Sequence, residues 1–417
     1  MQLQSKLAIG VKAQTHQKLK LKLIVVAPET KLLAQLIPIV INDLSFSGQF
    51  ELIFAGVLPT IEKKSDIKKF FEADCRLGIF INEDESRETI DLRIYDLEHA
   101  IMVKGLQYRK KGSSPIGWAH NVSDYLWPIL TNEPGFFSTK IAYCKEIKRK
   151  GKKSYKHIYV ADYNGLNEKL LVSTPTVNIA PRWNNDRSNP LLIYSEHTDK
   201  NVRLMATTMK GKRKIVSNFE GLNILSAFSP DGKKFAYCAS RGQGSCQIYY
   251  CADGIVKKLT HAGNNICPTF ADNGKSLYFC SDVLGWGPQI YKYNLQDDTK
   301  TRISKGGFEV STSFSDKKGV LAYAKMVKGV MQLFVFDPQL NKHKQLTFGP
   351  GNKEECSWSP CGNYLLFSIQ HGKNSQVAVY NLLTETQQII TKKGDNCGYP
   401  SWSPLYTRFP CLGEGLS

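Results

Sequence analysis

Long apolar runs are missing from this chain of 417 residues. No stretch approaches the roughly eighteen consecutive apolar residues that a membrane-crossing helix needs. The opening "MQLQSKLAIGVKAQTHQ" holds cations and scattered apolar residues, without the continuous apolar region of a secretory signal. A cytoplasmic chain fits that start, as does one whose export signal lies outside this reading frame. Catalytic signatures are missing as well. There is no G-x-S-x-G, and "GQGSC" at 242–246 has the wrong spacing for a nucleophile elbow. No P-loop, no G-x-G-x-x-G opening a helix and no H-E-x-x-H occurs. The 8 histidines are scattered, and the 11 cysteines include no C-x-x-C and no His/Cys group with zinc spacing. Adjacent carboxylates at Glu354/Glu355 and Asp297/Asp298 read as solvated loops, since neighbours on a loop do not converge on a substrate. We assign no catalytic, cofactor-binding or metal-binding residue.

Cations are in excess, 55 Lys+Arg against 37 Asp+Glu, for a net charge of +18. That balance favours acidic partners. The densest basic run, "KRKGKK" at 148–153, is extended by Lys145 and Lys156 but contains no aromatic residue. A base-stacking platform requires one, so the run reads as a solvated hairpin tip and not as a specific nucleic-acid site.

One feature recurs throughout the second part of the chain. "AFSPDGKKFAY" (227–237) is echoed by "TFADNGKSLYF" (269–279), "SFSDKKGVLAY" (313–323) and "SWSPCGNYLLF" (357–367). The landmark aromatics Trp183, Phe228, Phe270, Phe314, Trp358 and Trp402 are spaced by 45, 42, 44, 44 and 44 residues. A period in the low forties with several short strands per unit marks a β-propeller blade. An apolar strand follows each of the first five landmarks, as in "KFAYCAS" and "SLYFCSD". Then come an alternating strand, as in "QIYYCAD" and "QLFVFDP", and a short outer one, as in "KKLTH" and "KQLTF". "SPDG" supplies the hairpin from the first strand to the second. The unit beginning at "KIAYCKE" (140) lacks an innermost strand, while "GYPSWSP" (398–404) is an innermost strand with nothing after it. Together they complete a sixth blade. Cys144, Cys238 and Cys280 recur at one strand position and read as small buried fillers. Cys246/Cys251 and Cys356/Cys361 each read as lying along one extended strand, too far apart for a disulfide.

The first part of the chain reads as a small α/β domain. Strands are expected at "KLKLKLIVVA" (18–27), "FELIFAG" (50–56) and "LGIFINE" (77–83), with a hairpin formed by "ETIDLRIYD" and "HAIMVKGLQY". Helices are expected at "ETKLLAQLIPIVINDL" (29–44), with Pro38 as a kink, at "DIKKFFEAD", and at "HNVSDYLWPIL" (120–130). The expected layout is an N-terminal segment at 1–17, an α/β domain at 18–131 and a junction at 132–137. A six-bladed all-β propeller at 138–404 and a tail at 405–417 complete it.

Loops entering the innermost strands ring one mouth of a propeller channel. Five residues before each landmark aromatic stand Asn178, Asn223, Asn265, Glu309, Lys353 and Cys397. Asn264, Asn352 and Asn396 precede three of them by one residue. Two readings stay open: a ring of donors and acceptors offered to a partner, or Asn serving the left-handed turn into each strand.

The chain resembles the TolB family, propeller proteins of the Gram-negative Tol–Pal envelope system. The resemblance rests on "AHNVSDYLWPILTNEPGFFSTKIAYCKE" (119–146), "ADYNGLNEKLLV" (161–172) and "DLSFSGQFELI" (43–53). It implies a non-enzymatic periplasmic scaffold without cofactor, monomeric and not inserted in a membrane. It further implies that the channel mouth docks the peptidoglycan-associated lipoprotein Pal and that the N-terminal segment engages TolA. Carried over by position, the Pal-facing loops include Leu222, Asn223, Leu225, Asn264, Asn265 and Ile266. Residues 1–17 do not clearly match the family's N-terminal segment, and "WNNDRSN" replaces the "SPDG" turn after Trp183. The competing class is a propeller-based enzyme or ligand-binding protein that uses the central channel.

Overall fold

Thr30 opens the first helix by accepting a hydrogen bond from the backbone of Leu33 at 3.1 Å, which satisfies one of the orphan donors of a helix start. The computed structural model describes residues 21–26, 30–54, 64–71, 75–83, 89–109, 114–148, 154–242, 244–304 and 306–406. The chain divides into two compact units, Met1–Ser138 and Thr139–Ser417.

In the first unit the strands are β1 (Leu21–Val26), β2 (Phe50–Phe54), β3 (Leu77–Glu83), β4 (Thr89–Asp96) and β5 (Ile101–Arg109). They form one mixed sheet in the order β2-β1-β3-β4-β5. Pairing is parallel around β1 and antiparallel from β3 to β5. The helices are α1 (Lys31–Phe46), α2 (Lys64–Lys68) and α3 (Pro115–Thr131). Leu33, Leu36, Val40 and Leu44 form the buried stripe of α1 at helical spacing. Asp43 of this helix meets His120 of α3 at 2.9 Å, with both side chains buried. Asp124 of α3 accepts from the backbone of Phe137 at 2.7 Å and of Ser138 at 3.0 Å. Burial pushes its carboxyl up to about 6 despite those bonds.

Two helices differ from the sequence reading. In the "DIKKFFEAD" region α2 ends at Lys68, because Phe70 and Phe71 bond back three residues, to Ile67 and Lys68, and tighten the chain into a turn. The last helix starts at Pro115, five residues before His120, since Ser114 caps it and proline is preorganised for the first helical position.

The second unit is a ring of six blades. Four complete blades begin at the innermost strands Asn223–Phe228, Asn265–Ala271, Glu309–Ser315 and Asn352–Trp358, and we number them 3 to 6. Blade 2 runs Val177–Trp183, Leu191–His197, Val202–Thr208 and Arg213–Ser217. Blade 1 is shared between the two ends of the unit: Cys397–Trp402 pairs antiparallel with Lys140–Ile147, followed by Tyr155–Asp162 and Lys169–Val172. Alternating residues of neighbouring blades bury against each other. Between blades 3 and 4 the packed set includes Ala236, Ile248, Phe270, Leu277 and Phe279. Indole nitrogens stitch some blades together, Trp183 donating to the Ser401 carbonyl and Trp358 to that of Ser313, each at 3.0 Å.

Each innermost strand carries a bulge. Ala180, Leu225, Cys267, Ser311, Glu355 and Tyr399 all have positive φ, between 50° and 60°. In blade 3 the register jumps from Ile224↔Cys238 to Ala227↔Ala236, so two residues oppose one. The second strand answers with a small side chain beside each bulge: Cys144, Ser195, Cys238, Cys280, Ala324 and Ser368. Burial drives the thiols of Cys144 and Cys238 far up, so they stay protonated and pack as hydrophobes. The two close cysteine pairs are placed differently from the sequence reading. Cys246 precedes the strand Gln247–Ala252, and Cys361 sits in the turn after Asn352–Trp358, near the Ser359 hydroxyl at 3.3 Å.

Candidate functional site

Loops entering the innermost strands and hairpins joining second to third strands open at the same end of the ring. Glu146, near the end of a second strand, donates its backbone N–H to the Asn396 carbonyl at 2.8 Å, just before an innermost strand begins. The strand Lys140–Ile147 therefore ends, and Tyr155–Asp162 begins, at the mouth end, and residues 149–153 of "KRKGKK" lie outside the described residues.

The six side chains expected to ring that mouth are buried. Asn178 donates to the Lys156 carbonyl at 2.9 Å and to the Thr174 hydroxyl at 2.8 Å. Asn223 donates to the carbonyls of Val202 and Phe219 at 2.8 and 2.7 Å. Asn265 donates to the Ala262 carbonyl and the Gln247 side chain at 2.9 and 3.0 Å. Glu309 pairs with Lys325 at 2.8 Å. The Lys353 ammonium donates to three loop carbonyls, those of Phe348, Gly349 and Pro350, at 3.1, 3.0 and 2.9 Å. Burial pulls that ammonium below the usual lysine value. Each of these five polar side chains holds the loop that arrives from the preceding blade or the loop's immediate surroundings. The expectation that Asn178, Asn223, Asn265, Glu309 and Lys353 face a partner is corrected by this geometry: all five side chains are buried, and the bonds described above run inside the ring.

The remaining expected residues divide. Leu225 and Ile266 are half-buried and pack on the apolar set between blades 3 and 4, so they serve the core more than the surface. Leu222 and Asn264 are exposed, and Asn352 and Asn396 are half-buried. Asn264 donates to Asp282 at 2.9 Å and accepts from the backbone of Cys246 at 3.1 Å. Asn352 accepts from the backbone of Met331 at 3.0 Å, and Asn396 donates to Glu146 at 2.6 Å.

Sequence reading missed a relay that makes the mouth rigid. Gln247 and Gln289 open a third strand, Gln332 and Gln376 lie two residues into one, and each donates to a carbonyl of the next loop, those of Gly263, Gly307, Gly349 and Thr391. Thr260, Ser304, Thr347 and Thr391 accept from the backbone of the residue after each Gln. The signal was present in the repeated "QIYY", "QIYK", "QLFV" and "QVAV". Also missed were apolar side chains exposed on the same rim, Phe219, Leu284, Trp286, Phe308 and Phe348. Single residues in glycine-rich loops carry no periodic signal.

At the opposite end of the channel lies a cavity of about 300 Å³ lined by Arg182, Arg187, Asp316, Lys317 and all six landmark aromatics, with no histidine in its lining. Arg182 donates to its neighbour's carbonyl, that of Pro181, at 2.9 Å. Glu354 and Glu355 lie in an innermost strand and not on a loop; Glu355 occupies the bulge and accepts from the Ser368 hydroxyl and the Tyr399 backbone. Burial raises both carboxyls. Asp298 pairs with Lys257 at 2.7 Å in a surface turn. Among the described residues no group of three or more His, Cys, Asp or Glu is placed to hold a metal ion, and no helix is long and apolar enough to cross a membrane.

The family model of the TolB beta propeller domain matches residues 127–406. The chain belongs to the TolB β-propeller family. Its curated relatives include the Tol-Pal system protein TolB of Francisella tularensis subsp. holarctica (strain OSU18), 30% identical over 221 residues. The same protein of subsp. mediasiatica (strain FSC147) is 29% identical over 221 residues. Each match covers 51% of this chain and 50% of the relative, so the chain spans about half the length of the curated relatives it matches. The crystal structure of TolB from Acinetobacter baumannii superposes with a TM-score of 0.78 at 23% identity, over 92% of this chain and 97% of that one. At that identity the likeness speaks for the fold, small α/β domain included.

Proposed function

We propose that this TolB-family chain is a non-enzymatic scaffold of the Tol–Pal system in the periplasm, where it docks Pal on the mouth end of its propeller. The observation that carries this reading is the rim itself: exposed apolar residues stand on loops whose bases are pinned by buried Asn, Gln, Glu and Lys side chains. A rigid, partly apolar rim suits a protein partner, because little conformational entropy is lost on docking. Engagement of TolA by the N-terminal segment belongs to the same proposal, and residues 1–17 lie outside the described residues. Support of outer-membrane integrity and of cell division would follow from both contacts.

Titration calorimetry with Pal stripped of its lipid tests the reading. Saturable binding that Leu222→Asp weakens without lowering the melting temperature supports it. Absence of binding by the parent chain sinks it. A second reading, a small ligand held in the channel, has its own support in the 300 Å³ cavity at the opposite end. A substitution at Arg182 that abolishes capture of a small molecule, in a chain that ignores Pal, would favour that one.

A further inference from the structure

The mouth end is polarised. One arc, over blades 3 to 5 and the loop into blade 6, displays Phe219, Leu222, Leu284, Trp286, Phe308 and Phe348, with Trp286 at 76% and Phe348 at 70% exposure. A tryptophan that open on a folded surface is uncommon and marks interaction sites. These side chains are also set in place. The Arg241 guanidinium stacks 3.9 Å over the Phe219 ring. A Cβ added at Gly287, beside Trp286, would lie 3.3 Å from the Phe308 ring, so hairpin and loop share one apolar shelf. The loop carrying Phe348 is tied down by Lys353.

The other arc is basic. Lys373 stands on the blade 6 hairpin, and Lys392 and Lys393 on the loop into blade 1; all three are exposed and form no ion pair among the described residues. Asp395 of that loop is already engaged, 2.6 Å from Lys145, so it does not cancel them. Aromatic groups thus concentrate in one sector of the mouth and the cluster of three lysines in the next, the two adjoining at blade 6, with Lys328 on the blade 5 hairpin as a lone exposed lysine in the aromatic sector.

We propose that this polarity fixes the rotational setting of the docked partner: a folded protein that places an apolar pocket over blades 3 to 5 and a cluster of carboxylates over blade 6 and the adjoining loop. The assignment rests on the reading of the mouth as a Pal-docking face and adds which sectors anchor and which steer. A flat anionic bilayer fits less well. Its contact would require the concave mouth to be level, and Glu220 and Asp282 stand among the aromatic residues and repel phosphate headgroups. Exposed cations that meet carboxylates act mainly on the encounter rate, and desolvated aromatics act mainly on the lifetime of the complex.

Surface-immobilised delipidated Pal, with the full chain in solution, separates the two arcs kinetically. Trp286→Ala with Phe348→Ala is expected to weaken affinity by roughly thirtyfold or more, through faster dissociation, with little dependence on salt. The triple change Lys373→Glu, Lys392→Glu and Lys393→Glu is expected to slow association about tenfold at low ionic strength, a difference that vanishes near 0.5 M salt, roughly where screening erases surface charge effects. Leu340→Ala removes an apolar residue 63% exposed on a hairpin at the opposite end and should leave both rates unchanged. Thermal melts verify folding, and Trp286→Gln replaces the alanine variant if that one melts early. The proposal is overturned if the parent binds Pal and the aromatic variants bind alike, or if the charge effect survives high salt. It is equally overturned if those variants lose binding only to vesicles containing anionic phosphatidylglycerol while Pal binding persists. A parent that ignores Pal altogether removes the docking reading itself, and this assignment with it.

Discussion

Lys353→Met isolates the contribution of one buried ammonium to the mouth. The parent side chain is fully buried and donates to three carbonyls in the loop Phe348–Pro350. The Gly349 carbonyl keeps a second donor, Gln332 at 2.7 Å, so all three acceptors lose the ammonium but Gly349 still has a partner and the other two lose the donor described here. A buried acceptor left without its donor costs about 1–3 kcal/mol. Relief of the ammonium's own desolvation offsets part of that, leaving a net loss of about 2 kcal/mol and a melting temperature lowered by roughly 5 °C. The pH dependence gives an independent check. Burial holds the folded-state value below the unfolded one, near 10.5. Between those two values the unfolded chain binds more protons, so the parent gains stability as pH rises through that window. The methionine variant has no such group, so the stability gap between the two should widen from neutral toward alkaline pH. Thermal unfolding followed by circular dichroism measures the gap, and amide exchange at Gly349 and Gly351 reports whether the loop has loosened. A variant that melts within about 1 °C of the parent, with a gap flat in pH, would show that the ammonium is not holding the loop.

Ending the chain at Asn396 removes the innermost strand of blade 1 and bares its partner Lys140–Ile147; loss of the cooperative melt is expected, and an unchanged melting temperature would refute the closure. In Glu196→Gln the pair with Arg203 at 2.7 Å and Arg213 at 2.5 Å is broken. Burial pushes Glu196 up, but these two bonds outweigh it and hold it below the usual value. The variant should lose about 3 kcal/mol at neutral pH in a denaturant titration. The parent's advantage should fade only as pH drops below about 4.5, toward the lowered folded-state value. Asp124 has the opposite sign: its folded value, about 6, lies above the unfolded 3.8. The stability of the parent relative to Asp124→Asn should therefore fall as pH rises from about 4 to 6, and a constant difference across that range would contradict the assignment.

The ring was legible because its aromatic landmarks recur at a nearly constant interval and each is followed by the same order of strands. What happens at the start of each innermost strand was not legible. Asn178, Asn223 and Asn265 are found at the expected positions, but whether such a residue faces solvent depends on a loop of the preceding blade. That loop and its strands approach only after the blades stack. The bulge left no mark at all, since Ala180, Leu225, Cys267, Ser311, Glu355 and Tyr399 share positive φ but no residue type. Stacking imposes that conformation against local preference. In the first unit, apolar spacing revealed α1. The early start of α3 rested on Ser114 and Pro115, two residues whose capping role was passed over.

The shared blade has a mechanical consequence. Lys140 and Ser403 lie side by side, the Ser403 N–H bonded to the Lys140 carbonyl at 2.8 Å, and Trp402 donates to the Thr139 hydroxyl at 2.9 Å. The chain therefore enters and leaves the ring at the same end of one antiparallel pair. Tension drawn between those two points would load the ladder one rung at a time, as a zipper, and would not shear all its rungs together. Under load the seam is the weakest line in the ring, and the other five blades, each closed within its own stretch of chain, would outlast it.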